Sequence, residues 1–195
     1  MAGGRGPDGF LDDNPQFWDR VVDGVHVLGG IDKARDLARE GALEVVFGIG
    51  AVAYPSVRLD VLRRLEGVPL TFLTVVHPKA TVSPSVVLPK NTVVLAGAVL
   101  NRGATIGEHV TIYTGAIIEH DCKLGTHVQV GPKACLGGGV VVGPRTFVGM
   151  GASIIQGVRV GEDCVIGAGA VVLGDVPSGT TVAGVPATAR GPTRR

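Results

Sequence analysis

Reactive side chains are sparse in this chain and gather in one stretch, Tyr113-Thr-Gly-Ala-Ile-Ile-Glu119-His120-Asp121-Cys122. His120 stands there between two carboxylates. An unperturbed imidazole titrates at about pH 6.5, so it can accept a proton at neutral pH, as a general base must. A carboxylate beside it can orient the ring and stabilise its protonated form. Adjacency in sequence does not by itself make that hydrogen bond, and an inert surface histidine is the competing reading. Asp12 and Asp13 form a second acidic pair. They either cap the following turn or touch a ligand at the carboxyl end of a strand.

The elements that must hold these residues follow from a repeat. From Val76 to Val172, every sixth residue is Val, Ile or Leu, 17 positions without interruption. Four residues after each stands a small or β-branched residue, from Ala80 and Val86 through Cys122 and Cys164 to Val176. A six-residue period is too short for a helical repeat, and alternation broken every six residues means short strands joined at corners. Three hexapeptides close a triangular turn of 18 residues, so residues 18 apart stack and the aliphatics form an interior ladder over five to six coils. Gly follows the large aliphatic in eight of the 17 repeats, including Gly107, Gly125, Gly131, Gly143 and Gly161. These glycines are expected to supply the backbone freedom of a turn.

The register also sorts the other candidates. His109 and His127 are 18 residues apart, so they should stack in one column. A zinc site on such a coil needs three converging imidazoles, and no third histidine has a compatible spacing, so no metal is expected. Cys122 and Cys164 fall in the inward small column and read as packing thiols. Cys135 lies off that column with no acid or base motif around it. Three cysteines without zinc spacing, and no apolar signal segment at the N-terminus, point to a reduced, cytoplasmic protein. Lys and Arg total 18 against 17 for Asp and Glu, and the only terminal basic run is Arg194-Arg195. That balance argues against a nucleic-acid or membrane surface and for a small-molecule partner.

Residues 9–75 read as a small alternating α/β unit. The pattern predicts a strand over Gly9–Asn14 and a helix over Ile31–Glu40, with Asp32 as N-cap and Gly41 as stop. It further predicts a buried strand over Leu43–Gly50, a helix over Ser56–Glu66 and a last strand over Thr71–Val76. Residues 1–8 read as a loose tail, 76–177 as the coil, and 178–195 as a C-terminal extension that is loose from residue 190.

Further segments carry a family likeness: Gly9-Phe-Leu-Asp-Asp-Asn14, Asp23-Gly-Val-His-Val-Leu-Gly-Gly30, His77-Pro78, Thr114 to Cys122, Ile155-Gln-Gly-Val-Arg-Val-Gly161 and Ala183-Gly-Val-Pro-Ala187. Over residues 9–190 the chain resembles the hexapeptide-repeat acyltransferases of the sialic acid O-acetyltransferase and UDP-4-amino-sugar (bacillosamine, perosamine) N-acetyltransferase family. The resemblance implies a mainly β fold, a left-handed parallel β-helix with a small N-terminal α/β domain. It also implies acetyl transfer from acetyl-CoA to an amino sugar, nucleotide-linked in this family, within a homotrimer whose sites lie between subunits. His120 matches the family's general base, Asp121 the acid paired with it, and Gly138 the backbone N–H that stabilises the thioester oxyanion. Asp12, Asp13, Tyr113 and Glu119 match acceptor-side positions. Gln129, Gly138, Met150, Ala168, Gly184 and Pro186 match the CoA groove.

Three departures accompany the likeness. The first strand and Gly-rich loop of the α/β domain, which cradle nucleotide-sugar phosphates in the family, have no counterpart before Gly9. Tyr113 stands where amino-sugar members often carry Asn, and Gln129 where many carry a second histidine. An O-acetyltransferase acting on a sugar or natural-product hydroxyl would use the same base. A non-catalytic β-helix that binds a partner is the alternative of another class.

Overall fold

The computed structural model describes residues 6–50 and 56–193, which form two compact units. The first comprises residues 6–45 and 56–72, and the second comprises residues 46–50 and 73–193. The expected N-terminal tail lies outside the described residues at positions 1–5.

The second unit is a left-handed parallel β-helix. Two-residue strands recur every six residues and pair in parallel with the strand 18 residues on, as Thr111↔Gln129, Ile117↔Cys135 and Lys123↔Val141 show. Three sheets of four, six and eight strands make its faces. The second residue of each strand points inward, and Ile112, Ile118, Val130, Leu136 and Ile166 have no exposed surface. Small residues such as Ala116, Cys122 and Ala134 fill the corners of the same core. Val76, on the first coil, is 41% exposed, since its strand is the last of the eight-stranded sheet.

The glycine expectation is corrected here. Gly107, Gly125, Gly131, Gly143 and Gly161 have no left-handed backbone. A β-carbon on any of them would instead sit 2.5–2.7 Å from backbone atoms of the next coil. They are there for close approach. The left-handed corner falls two residues later, where Gly97, Gly103, Gly115 and Gly157 alternate with side-chain-bearing residues such as His109, Asp121, His127 and Arg145.

The eight-stranded sheet ends in an antiparallel hairpin, Thr180–Ala183 against Thr188–Pro192. The loose tail expected from residue 190 is therefore ordered as strand through Pro192.

In the first unit, Phe10–Leu11 pairs in parallel with Val25–Gly29, which also forms a hairpin with Val21–Val22 around Asp23-Gly24. The first strand stops early because Asp12 Oδ1 accepts the Asn14 N–H and Asn14 Oδ1 accepts the Gln16 N–H, turning the chain. Asp32 does not cap the helix Ala34–Glu40. It lies in a 3-10 turn, Ile31–Lys33, and its carboxylate pairs with Arg64 from the helix Ser56–Arg64. Asp13 takes the capping role from a distance, its Oδ1 accepting the Ile31 N–H at 3.0 Å.

The strand expected over Leu43–Gly50 is limited to Leu43–Val45 and only half-buried. From Val46 the chain belongs to the coil unit, where the Phe47 N–H donates to Asn91 Oδ1. The last strand is likewise two, Leu70–Phe72 in one unit and Val75–Val76 in the other. Between them Thr74 donates to the Pro89 carbonyl rather than continuing a ladder.

Candidate active site

Every residue in the Glu119–Asp121 segment belongs to a corner of the β-helix, after the strand Ile117–Ile118 has delivered its inward aliphatic. At this corner His120 projects outward and Asp121 adopts φ 59°, a left-handed turn that Asp tolerates. That turn brings the carboxylate back over its neighbour. Asp121 Oδ2 lies 2.9 Å from His120 Nδ1, with both side chains more than half exposed in the single chain. A carboxylate only accepts, so Nδ1 carries the proton, and in the neutral ring Nε2 keeps its lone pair. Glu119, the other neighbouring acid, turns away and accepts from Asn101 Nδ2 at 3.0 Å.

The ring's free edge faces the next coil. A β-carbon at Gly138 would lie 2.5 Å from Nε2, so only glycine leaves room for the imidazole there. The Gly138 N–H has no acceptor among the described residues, since corner amides at this position fall between ladder hydrogen bonds. A proton acceptor and a free backbone donor therefore sit side by side, the pairing that addition to a carbonyl requires. The corner brings His120, Asp121 and Gly138 together. Gly103 was missed: one coil before Asp121 in the same column, it would collide with the Asp121 carboxylate if it carried a β-carbon. Writing the repeat in rows of 18 would have placed it there.

The remaining candidates lie elsewhere. Met150 and Ala168 stack at a different corner, the one that follows the strands Thr111–Ile112 and Gln129–Val130, and Met150 is 61% exposed. Gly184 continues towards that corner, its carbonyl accepting the Val171 N–H, and Pro186 follows it. One chain does not unite this corner with His120. Gln129 is 2% exposed, and its Oε1 accepts from the Tyr113 hydroxyl at 3.2 Å, so these two residues form a pair of their own. Asp13 is engaged by Arg64, whose guanidinium holds the carboxyl below its ordinary range. Asp12 is spent on its Asx turn.

His109 and His127 stack with centroids 4.7 Å apart, as the 18-residue column predicts. No group of three His, Cys, Asp or Glu able to hold a metal occurs among the described residues. The Cys122 and Cys135 thiols are pushed up by burial, with the Glu119 charge adding to it, which keeps them protonated. Among the described residues no helix is long and apolar enough to cross a membrane.

Residues 103–138 and 139–174 match the bacterial transferase hexapeptide (six repeats) family. The chain is similar to GDP-perosamine N-acetyl transferase from Caulobacter crescentus, solved with CoA and GDP-perosamine, at 36% identity over 94% of this chain and 84% of that one, with a TM-score of 0.85. It is also similar to the acetyltransferase domain of PglB from Neisseria gonorrhoeae, solved with acetyl coenzyme A. There the identity is 33% over 93% of this chain and 85% of that one, with a TM-score of 0.83. WeeI from Acinetobacter baumannii shares the fold at 23% identity, covering 93% of this chain and 84% of that one, with a TM-score of 0.70. No curated protein matches the chain.

Proposed function

Because the chain belongs to the hexapeptide-repeat acyltransferases of the sialic acid O-acetyltransferase and amino-sugar N-acetyltransferase family, we propose that it transfers an acetyl group from acetyl-CoA to the amine of a nucleotide-linked amino sugar. The observation that carries this reading is the His120–Asp121 pair at 2.9 Å, with Nε2 lying against Gly138, whose N–H has no acceptor among the described residues. Asp121 holds Nδ1–H, leaving Nε2 to take a proton from the acceptor amine as its nitrogen attacks the thioester carbonyl. The carbonyl electron pair moves onto oxygen, where the Gly138 N–H stabilises it. Collapse of this tetrahedral intermediate expels CoA as thiolate and leaves the amide. No covalent bond to the enzyme forms.

The separation of the His120 corner from the Met150, Ala168 and Gly184 corner supports a homotrimer in which one subunit supplies the base and its neighbour the wall of the CoA groove. Gln129 and Tyr113 lie on the sheet leading to that second corner. A dyad this open in a single chain gains its enclosure from a second subunit.

The test incubates the protein with acetyl-CoA and a panel of UDP-, GDP- and dTDP-linked amino sugars, plus their hydroxyl analogues, and follows release of free thiol. Turnover with an amine is expected, and His120→Ala should lower it by on the order of 100-fold or more while the assembly stays intact. Undiminished turnover in that variant would remove His120 from the mechanism, and turnover with hydroxyl acceptors alone would make the enzyme an O-acetyltransferase.

A further inference from the structure

We propose that Gly103 is a positioning residue for the reaction, its missing side chain being what lets Asp121 reach His120. The inference rests on the reading of His120 as the base. It starts from the columns that stack along the three corners of the β-helix. At one corner the left-handed positions are filled by side chains in five successive coils, Asn91, His109, His127, Arg145 and Asp163. Successive members touch: Asn91 Nδ2 lies 2.8 Å from His109 Nδ1, the two histidine rings stack, and Arg145 clasps Asp163 at 2.7 and 2.8 Å. The fold thus accepts side chains at left-handed corners, one above another, and does not itself demand glycine there.

The column through Asp121 is different. There Asp121 stands between glycines, Gly103 one coil below and Gly139 and Gly157 above. A β-carbon at Gly139 or Gly157 would meet nothing within 4 Å. At Gly103 it would overlap Asp121 Oδ1 and come within 3.3 Å of Asp121 Cγ. The carboxylate is therefore folded down over Gly103 while its other oxygen holds His120 Nδ1. Nor can the backbone of Gly103 yield easily, since its N–H donates to Ser85 Oγ one coil below. A methyl group at position 103 would drive the carboxylate off, and with it the hydrogen bond that fixes the tautomer of the base.

The experiment compares Gly103→Ala with Gly157→Ala. Both glycines have φ 73°, so each alanine bears the same backbone strain, but only the first meets a carboxylate. Long-range proton–nitrogen NMR of the imidazole, at a pH where it is neutral, reads the tautomer directly. In the wild type and in Gly157→Ala the proton should sit on Nδ1 of His120, and in Gly103→Ala it should redistribute towards Nε2. Turnover of acetyl-CoA with GDP-perosamine supplies the second readout. Gly103→Ala should lower kcat by the same factor as Asp121→Ala, about 10-fold to 100-fold of the 10²–10⁴ that a general base contributes. KM for both substrates should stay within about 2-fold.

The double variant Gly103→Ala with Asp121→Ala should be no slower than Asp121→Ala alone. An unchanged tautomer in Gly103→Ala, an equal loss in Gly157→Ala, or a double variant that loses the product of the two single factors would each overturn the proposal. Full activity of His120→Ala would instead sink the base itself, and would do so whatever the tautomer measurement showed.

Discussion

Replacing Gly143 with alanine should damage this protein more than replacing Gly151, although Gly151 is the one with a left-handed backbone. At Gly151, φ is 65° and a β-carbon would meet nothing within 4 Å. The penalty there is conformational, about 1–2 kcal/mol. At Gly143 the backbone is ordinary, but a β-carbon would lie 2.5 Å from the Glu162 nitrogen and 2.6 Å from the Gly161 carbonyl carbon. Both are main-chain atoms of the next coil, so no rotamer change relieves the overlap, and the coils must separate by roughly 1 Å to reach normal carbon contact distances. Overpacking costs about 1–3 kcal/mol. The adjoining ladder bonds, Gly143 N–H to the Val160 carbonyl at 2.8 Å and Asp163 N–H to the Pro144 carbonyl at 3.0 Å, lengthen with it. Each is worth about 0.5–1.5 kcal/mol, so the total is about 2–6 kcal/mol.

Both substitutions restrict the unfolded chain equally, so that contribution cancels in the comparison. For a chain of this size, 1 kcal/mol moves the melting temperature by roughly 2–4 °C. Far-UV circular dichroism melts at one fixed protomer concentration should show Gly143→Ala falling well below Gly151→Ala. If Gly151→Ala melts at the same temperature or lower, the assignment of the strand-end glycines to coil packing is wrong.

Two further substitutions probe other parts of the molecule. Thr146 is buried in the coil, donating to the Gly161 carbonyl at 2.8 Å and accepting the Cys164 N–H at 3.0 Å. Thr146→Val should therefore cost about 1–3 kcal/mol by leaving a buried amide unpaired, and a melt indistinguishable from wild type would refute it. In the α/β unit, the hydrogen bond from Arg64 lowers the Asp13 pKa below its unfolded value. The resulting stabilisation is complete above the unfolded carboxylate range and is lost as the pH falls through the folded value. Both partners are partly exposed, so Asp13→Asn should cost at most about 1 kcal/mol at pH 7. Urea midpoints followed through Trp18, the single tryptophan, should converge for the two proteins as the pH falls below the folded carboxyl's lowered value, and a gap that does not narrow with falling pH would exclude the pair as its source.

The coil was legible because one periodicity decides everything in it. Once Ile112, Ile118 and Leu124 are known to face inward, their partners 18 residues on follow from arithmetic, as does the stacking of His109 on His127. His120 and Asp121 are sequence neighbours, so the local pattern singled them out, but their 2.9 Å contact depends on the left-handed turn at Asp121 that brings the carboxylate back over the ring. What the repeat hid was the difference between its glycines. Gly143 and Gly151 look alike in a string of letters, yet one makes room for a backbone and the other turns a corner.

The α/β unit was less legible because its ends depend on tertiary partners. Asp32 has the composition of an N-cap, but Arg64, far along the chain, draws its carboxylate away and Asp13 takes over the helix start. Leu43–Gly50 reads as one apolar run, and the chain leaves the sheet after Val45 because Phe47 is tied to Asn91 in the other unit. Such divisions arise from which unit a segment joins, and no local pattern encodes that choice.

The three faces of the β-helix are closed differently at the C-terminal end. Past Arg159–Val160 the four-stranded face continues only as a single bridge from Val160 to Val176, Val171 of the six-stranded face is bonded by Gly184 and Ala187, and the eight-stranded face ends in its antiparallel hairpin. A stack of short parallel strands is otherwise a template for fibrous growth, each open end inviting another copy to continue the ladder. Here two faces are covered by single bridges and loop bonds and the third ends in a strand of reversed polarity, an edge that a further parallel coil cannot continue.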